Sequence, residues 1–277
     1  MVSQVFALVA RFSPDIKRSG WRFLYQYLAS KNREADWAFM NYGFVELDPR
    51  AKPLVLLPRD EQDRYCIQLY YHVAGAVDLR GLDVLEVGSG RGGGCSFIRR
   101  YLQPRSVTGV DISEKAVGLC NGHHAGPGLA FFQGDAESLP LPDGAFDAVV
   151  NVESSHCYGS MPRFLSEVCR VLRPNGYFLF ADLRPMNEVA RLRDDLRAST
   201  LQVLKEETIT HGVLAALDRD SDRKQTLIRQ KAPRWLFRGS FQQFAGIKGS
   251  RAYEDFRSGR AEYLSFVLRK PALRDTS

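Results

Sequence analysis

Leu82-Asp83-Val84-Leu85-Glu86-Val87, followed by Gly88-Ser89-Gly90-Arg91-Gly92-Gly93-Gly94-Cys95, is a short apolar run that turns through glycines into a helical pattern. A buried strand that bends sharply through glycines into a helix is a nucleotide-binding element. Gly88 and Gly90 allow a tight turn and a close approach to a ligand with no Cβ in the way. The amides that open the next helix face that ligand. The residues on either side must say which ligand it is.

Downstream the pattern alternates. Strands are expected at 83–87, 106–110, 129–133, 146–152 and 177–182, and helices at 92–102, 114–120 and 162–172. Arg173-Pro174-Asn175-Gly176 stops the last of these helices and turns into the next strand. Such alternation predicts an α/β fold, a Rossmann-like doubly wound sheet of about seven strands. Upstream, helices are expected at 15–30, from the spacing of Trp21, Tyr25 and Leu28, and at 59–79, with Tyr65, Leu69 and Val73 on one face and Gly81 beyond its end. Residues 184–235 break the rhythm and read as two or three helices, with Leu192, Leu196, Leu204, Val213, Leu214, Leu217 and Ile228 as apolar positions. The tail offers strands at 241–248 and 262–270. The segment joining them is too short for a full crossover, so these last two strands are expected to pair antiparallel at one edge, giving the sheet an antiparallel last strand. The organisation expected is a helical N-terminal lid (1–80), a ligand-binding core (81–183), a helical acceptor cap (184–240) and the last two strands (241–277).

Gly88, Gly90 and Gly93 satisfy G-x-G-x-x-G, a pattern shared by dinucleotide and S-adenosylmethionine sites. Asp111 closes the second strand, about 20 residues on, where a carboxylate accepts from ribose hydroxyls of either ligand. Glu86 separates the two. A carboxylate facing the loop repels a pyrophosphate but suits the amino group and sulfonium of S-adenosylmethionine. Asp135, in Gly134-Asp135-Ala136-Glu137, is placed to accept from an adenine amino group, and Asn151 ends a fourth strand at the same edge. Ligands of open parallel sheets bind outside the carboxyl ends of the strands, where Glu86, Asp111, Asp135 and Asn151 all fall.

Through LEVGSGRGG, VTGVDIS, FFQGDAESLPLPDGAFDAVV and VLRPNGYFLFADL the chain resembles class I S-adenosylmethionine-dependent methyltransferases. NVESSHCY at residues 151–158, ADLRP at 181–185 and the aromatic front end resemble the phthiotriol/phenolphthiotriol dimycocerosate O-methyltransferases and related small-molecule O-methyltransferases. The resemblance implies that Glu86, Gly88 and Gly90 form the first cofactor motif. It also implies that Asp111 and Ile112 take the ribose and adenine edge, and Asp135 and Ala136 the adenine amino contact. Asn151 stands where many members carry an acid. Its amide carbonyl can still hold the methionine ammonium, without the negative charge that an acid would add.

Methyl transfer to a hydroxyl requires the attacking oxygen to be aligned and its proton removed as the bond forms. His156, just past the fourth strand, has a near-neutral reference pKa suited to a general base. Asp182, at the end of the fifth strand, can orient the ring and stabilise imidazolium. Related O-methyltransferases place a His and an Asp at these two positions, so the resemblance supports the pair. Two other readings stay open: His156 and Asp182 as packing and turn residues, or transfer by proximity alone with water taking the proton. His72 reads as packing, His123 and His124 as exposed, and His211 as a residue of the insert. No set with metal spacing is evident, and no metal is expected. Ser154 and Ser155 lack the G-x-S-x-G elbow of a serine nucleophile.

The 277 residues carry a net charge of +6, with basic residues scattered among acids. Nucleic-acid binding needs clustered Lys and Arg, so no nucleic-acid partner is expected. The odd set Cys66, Cys95, Cys120, Cys157 and Cys169 has no C-x-x-C pair, which fits reduced thiols and a cytoplasmic protein. No run approaches the ~20 apolar residues of a membrane span, and the apolar run at 5–10 is too short for a signal peptide. The expectation is O-methylation of a small-molecule hydroxyl, of a polyketide, lipid or glycoside, with Trp21, Tyr25 and Tyr42 as lid candidates. N- or C-methylation, or a cofactor-binding cyclase of the same fold, are the alternatives.

Overall fold

The computed structural model describes residues 38–231 and 246–272, side chains of residues 227–231 aside. Its strands are β1 (Asp83–Val87), β2 (Ser106–Asp111), β3 (Leu129–Gln133), β4 (Phe146–Val152), β5 (Leu172–Pro185), β6 (Gln202–Thr208) and β7 (Ala261–Arg269). They form one sheet in the order β3-β2-β1-β4-β5-β7-β6. The first five run parallel. β7 runs antiparallel to both β5 and β6. The order reverses between β1 and β4, so the crevice at the carboxyl ends of these two strands is the switch point where ligands bind in such sheets.

Helices are α1 (Arg64–Ala74), α2 (Gly93–Tyr101), α3 (Glu114–His123), α4 (Met161–Val171), α5 (Met186–Ala198), α6 (Thr210–Lys231) and α7 (Arg251–Arg257). They cover both faces. Leu69, Val73, Phe97, Ile98, Val117, Val213 and Leu217 bury one face against Val84, Val107 and Val150. Phe164, Leu165, Leu192 and Leu196 bury the other against Leu85, Val87, Phe178, Phe180 and Phe266. Phe178, Phe180 and Phe266 stack across β5 and β7, with centroids 5.3 and 5.8 Å apart. Burial on both faces explains why the parallel strands read as near-continuous apolar runs. Along β1 the side chains alternate, which puts Glu86 on the face shared with α1 and α2.

Several elements differ from the sequence expectation, and β7, expected to pair with a strand at 241–248 at one edge, lies instead between β5 and the edge strand β6. The helix expected at 59–79 is a 3₁₀ turn (Pro58–Asp63) followed by α1, and it closes at Gly75, where a Cβ would stand 2.4 Å from the Tyr71 carbonyl oxygen. The stretch 184–235, expected to be helical, contains strand β6 between α5 and α6. β6 is an edge strand, exposed at nearly every position. Its charged run Lys205-Glu206-Glu207 protects the open edge rather than alternating with apolar residues, so the period-2 signal is absent. The strand expected at 241–248 falls mostly outside the described residues, and residues 246–248 form a turn. The helix expected at 15–30, with Trp21 and Tyr25, also lies outside them. Among the described residues no helix is long and apolar enough to cross a membrane.

Candidate active site

The glycine loop leaves β1 with Gly88, Gly90 and Gly92 all at positive φ (76°, 51° and 79°). The amides of Gly88 and Ser89 both donate to the Val110 carbonyl, at 2.8 and 3.0 Å, which folds the loop over the end of β2. A Cβ on Gly88 would lie 2.0 Å from Ser154 Oγ, so only glycine lets the loop meet the turn after β4. Gly92 caps α2, which starts at Gly93 with its first amides toward the crevice.

The expected cofactor residues line this crevice from several strands. Glu86 is fully buried, with Tyr70 donating to Oε1 at 2.6 Å. Burial pushes its pKa up to about 7, opposed by Cys95 and Tyr70, which favour the ionised form. Asp111 accepts from the Gly90 amide through Oδ2 at 2.9 Å and from the Ser113 amide through Oδ1 at 2.8 Å. Burial raises its pKa against those two bonds. Ile112, beside it, accepts from Gln133 Nε2 through its carbonyl. Asp135 accepts from the Glu137 amide at 3.0 Å, and Ala136 is buried beneath. Asn151 is fully buried. Its Nδ2 donates to the Val87 carbonyl at 2.8 Å and to the Tyr158 hydroxyl at 2.9 Å.

Three buried oxygens around the loop have no partner among the described residues: Glu86 Oε2, Ser89 Oγ and Asn151 Oδ1. An unmade bond at a buried polar group costs about 1–3 kcal/mol, so three around one crevice, from β1, the glycine loop and β4, mark a place for a ligand's polar groups. They fit the ammonium and sulfonium end of S-adenosylmethionine. Of the three, the Glu86 carboxylate and Asn151 carbonyl oxygens offer a pyrophosphate no donor; only the Ser89 hydroxyl can donate.

The turn after β4 holds the expected catalytic pair. Glu153 sits at φ 50°, in the left-handed region, which turns the chain into the short 3₁₀ segment Ser155–Cys157. His156 Nδ1 lies 2.8 Å from Asp182 Oδ1. Asp182 also accepts from the His156 amide (2.8 Å) and Ser155 Oγ (2.6 Å) at Oδ2, and from the Leu183 amide (2.8 Å) at Oδ1. Asp182 is wholly buried, whereas the His156 side chain is 21% exposed and can meet an incoming group. Burial alone would lower the His156 pKa. The charges of Cys157 and Asp182 and the bond to Asp182 outweigh it and hold the imidazole well above its usual range. Asp182 is held below the usual carboxylate range: burial opposes this, and the charges of His156 and Arg184 overcome it.

Residues not expected from the sequence complete the site. Tyr70 fixes Glu86, Tyr158 fixes Asn151, and Arg184 and Ser155 hold Asp182. Tyr158 and Ser155 lie inside NVESSHCY and Arg184 inside ADLRP, whereas Tyr70 sits on α1 with nothing in its spacing to mark it. Glu153 Oε2 accepts from the Tyr42 amide at 2.9 Å and from the Tyr263 hydroxyl at 3.0 Å. Tyr42 is thereby tied to the turn that bears His156, its ring edge-on to Phe256. His72 packs against Phe44 instead. No group of three or more His, Cys, Asp or Glu among the described residues could hold a metal ion.

A family model described as "Methyltransferase domain" matches residues 85–180. The chain is 38% identical to the fatty-acid O-methyltransferase of Mycolicibacterium smegmatis, covering 95% of this chain and 94% of that one. It is 39% identical to the phthiotriol/phenolphthiotriol dimycocerosates methyltransferase of Mycobacterium tuberculosis, over 97% of this chain and 98% of that one. Among solved structures, the [4+2]-cyclase SpnF superposes with a TM-score of 0.64 at 22% identity, over 85% of this chain and 88% of that chain. Geranyl diphosphate C-methyltransferase from Streptomyces coelicolor superposes with a TM-score of 0.60 at 16% identity, over 89% of this chain and 97% of that chain. At these identities the two structures establish a shared fold.

Proposed function

The chain belongs to the S-adenosylmethionine-dependent methyltransferases, in the family of the fatty-acid and phthiotriol/phenolphthiotriol dimycocerosates enzymes, and on that premise we propose that it transfers a methyl group to an oxygen of a lipid-like small molecule, with His156 as general base. The observation that carries the reading is the contact between His156 Nδ1 and the buried Asp182 Oδ1 at 2.8 Å, at the end of the strand beside the glycine loop.

When bound, S-adenosylmethionine supplies an electrophilic methyl group on a sulfonium. Glu86 Oε2 and Asn151 Oδ1 would hold its ammonium end, Gly88 and Gly90 would cradle it, and Asp111, with Ile112, would take the ribose and adenine edge. Asp135 and Ala136 would hold the adenine amino group. Asp182 fixes the His156 ring through Nδ1, so Nε2 is the nitrogen that takes the acceptor's proton. The imidazolium that forms is stabilised by Asp182, with no charge created in isolation. No residue is asked to act as a nucleophile or to ligate a metal. The acceptor is a hydroxyl compound reached without a membrane-spanning element among the described residues, and a cytoplasmic setting suits thiols such as the buried Cys66, Cys95 and Cys120.

The test is transfer of labelled methyl from S-adenosylmethionine to long-chain alcohols, fatty acids and glycosylated phenols, with products identified by mass. A methyl ether is the expected product; a methyl ester from a fatty acid would keep O-transfer but not the base role of His156, because a carboxylate brings no proton. Methylated nitrogen or carbon would overturn O-transfer. Tight S-adenosylhomocysteine binding without transfer to any acceptor would favour a cofactor-binding protein such as the cyclase whose fold it shares.

A further inference from the structure

Arg184 is a buried arginine, 6% exposed, two residues beyond Asp182 on β5. Its NH1 lies 3.0 Å from Asp182 Oδ2, and the same nitrogen donates to the Leu183 carbonyl at 2.6 Å. Its NH2 donates to Ser155 Oγ at 2.6 Å, and Ser155 Oγ in turn donates to Asp182 Oδ2 at 2.6 Å. The two oxygens of Asp182 are thus divided. Oδ1 meets the imidazole and the Leu183 amide, and Oδ2 meets the guanidinium directly and through Ser155, and also the His156 amide.

A buried carboxylate facing only a histidine would bind its proton tightly, because the ion pair sits in a poorly screened place. A histidine so held stays imidazolium and cannot accept a second proton. A permanent cation on the other carboxylate oxygen opposes that, since arginine is never neutral at working pH. We propose that Arg184 is a positioning residue of the methyl transfer: it shares the charge of Asp182, holds the carboxylate in place with Ser155, and so keeps His156 able to take the acceptor's proton.

The proposal rests on His156 being the base. Other charged and titratable groups surround the pair. Cys157 lies next in the 3₁₀ segment and Glu153 on the turn before it, both acting on the imidazole, while Tyr42 on the N-terminal segment and Tyr263 on β7 act on Glu153 and Asp182. Lys224 on α6 acts on Glu153. Arg184 differs from all of these in both carrying a fixed charge and touching Asp182.

The experiment follows the His156 imidazole by proton NMR across pH in the S-adenosylhomocysteine-loaded protein, and the acidic limb of kcat/KM in parallel. Arg184→Gln keeps donors toward Asp182 and Ser155 but removes the charge. Arg184→Lys keeps the charge and loses the paired geometry. In Arg184→Gln the His156 titration and the acidic limb both move to higher pH by about one unit, the size expected for a near neighbour's charge. In Arg184→Lys both stay near the wild-type position while kcat falls. A His156 titration unmoved in Arg184→Gln would overturn the proposal and leave Arg184 a structural residue. If the Gln variant does not fold, Arg184→Lys decides: a limb displaced upward there would likewise overturn it. Full turnover by His156→Ala would refute the base reading instead, and the NMR titration would still report whether Arg184 sets the imidazole.

Discussion

His156 and Asp182 set two opposing pH dependences. A base must be neutral to accept a proton, and His156 is held well above its ordinary range by Cys157 and Asp182. kcat/KM is therefore expected to climb with pH through neutrality, until the imidazole is neutral. Stability runs the other way. A histidine whose folded-state pKa is raised contributes stability that is complete below its unfolded pKa, about 6.5, and is lost as pH rises through the folded value. Activity and thermal midpoint measured over one pH series should cross, and His156→Ala should flatten both. The same variant should keep S-adenosylhomocysteine affinity while turnover falls about 10²–10⁴-fold, the usual effect of losing a general base. Turnover near wild type would rule out the base role. Gly88 gives a second residue-scale outcome. Alanine there must hold φ near 76°, which costs about 1–2 kcal/mol, and its Cβ overlaps Ser154 Oγ. Ser154 cannot swing away freely, because it bonds Tyr158, which bonds Asn151. Gly88→Ala should weaken cofactor affinity by about tenfold or more by calorimetry. Gly90→Ala, facing only the flexible end of Met40, should cost less.

Elements differ in how far their sequence betrays them. The strand-to-helix turns of β1, β2 and β4 could be read because each strand is buried on both faces and each turn is written in glycines or acids. The expected cofactor positions Glu86, Asp111, Asp135 and Asn151 follow from that pattern, since all end or follow strands, whereas Ile112 and Ala136 rest on the family resemblance. β6 could not be read: its neighbours are water on one side and β7 on the other, so it carries the charges of an edge rather than a core pattern. Side chains that act from the next element, such as Tyr70 from α1 and Tyr263 from β7, had no local signal because their role depends on packing. Helix α6 reaches the turn that bears His156 through such a contact. Buried Lys224 donates to the Tyr42 carbonyl at 3.1 Å and lies over its ring at 5.8 Å, and the Tyr42 amide donates to Glu153. A charge-assisted bond of this kind contributes about 1.5–3 kcal/mol. Lys224→Met should lower the thermal midpoint by about 3–6 °C. It should also raise the acceptor KM with little change in cofactor affinity. An unchanged KM would mean that α6 covers the sheet without shaping the acceptor side.

Across the whole molecule, the cofactor's charge and the fold's stability are linked through Glu86. Its carboxyl is lifted by burial to about 7. An acid whose folded pKa exceeds its unfolded value, about 4.3, weakens the fold as pH rises through that interval, because the unfolded chain ionises first. A cation bound beside Oε2 reverses the imbalance by favouring the ionised form. S-adenosylmethionine binding near pH 6 should therefore release a proton, visible as a binding enthalpy that changes with the ionisation enthalpy of the buffer. The release should fade by pH 8, where Glu86 is already ionised, and vanish in Glu86→Gln. The same linkage makes the ligand a stabiliser. At a hundred times its Kd it adds about 2.7 kcal/mol to the folded state, and the three unpartnered oxygens on Glu86, Ser89 and Asn151 are where that gain begins. NAD, whose pyrophosphate meets a carboxylate at the same loop, should raise the melting temperature little. Equal stabilisation by NAD, or proton uptake in place of release, would mean that the charge of Glu86 does not select the cofactor.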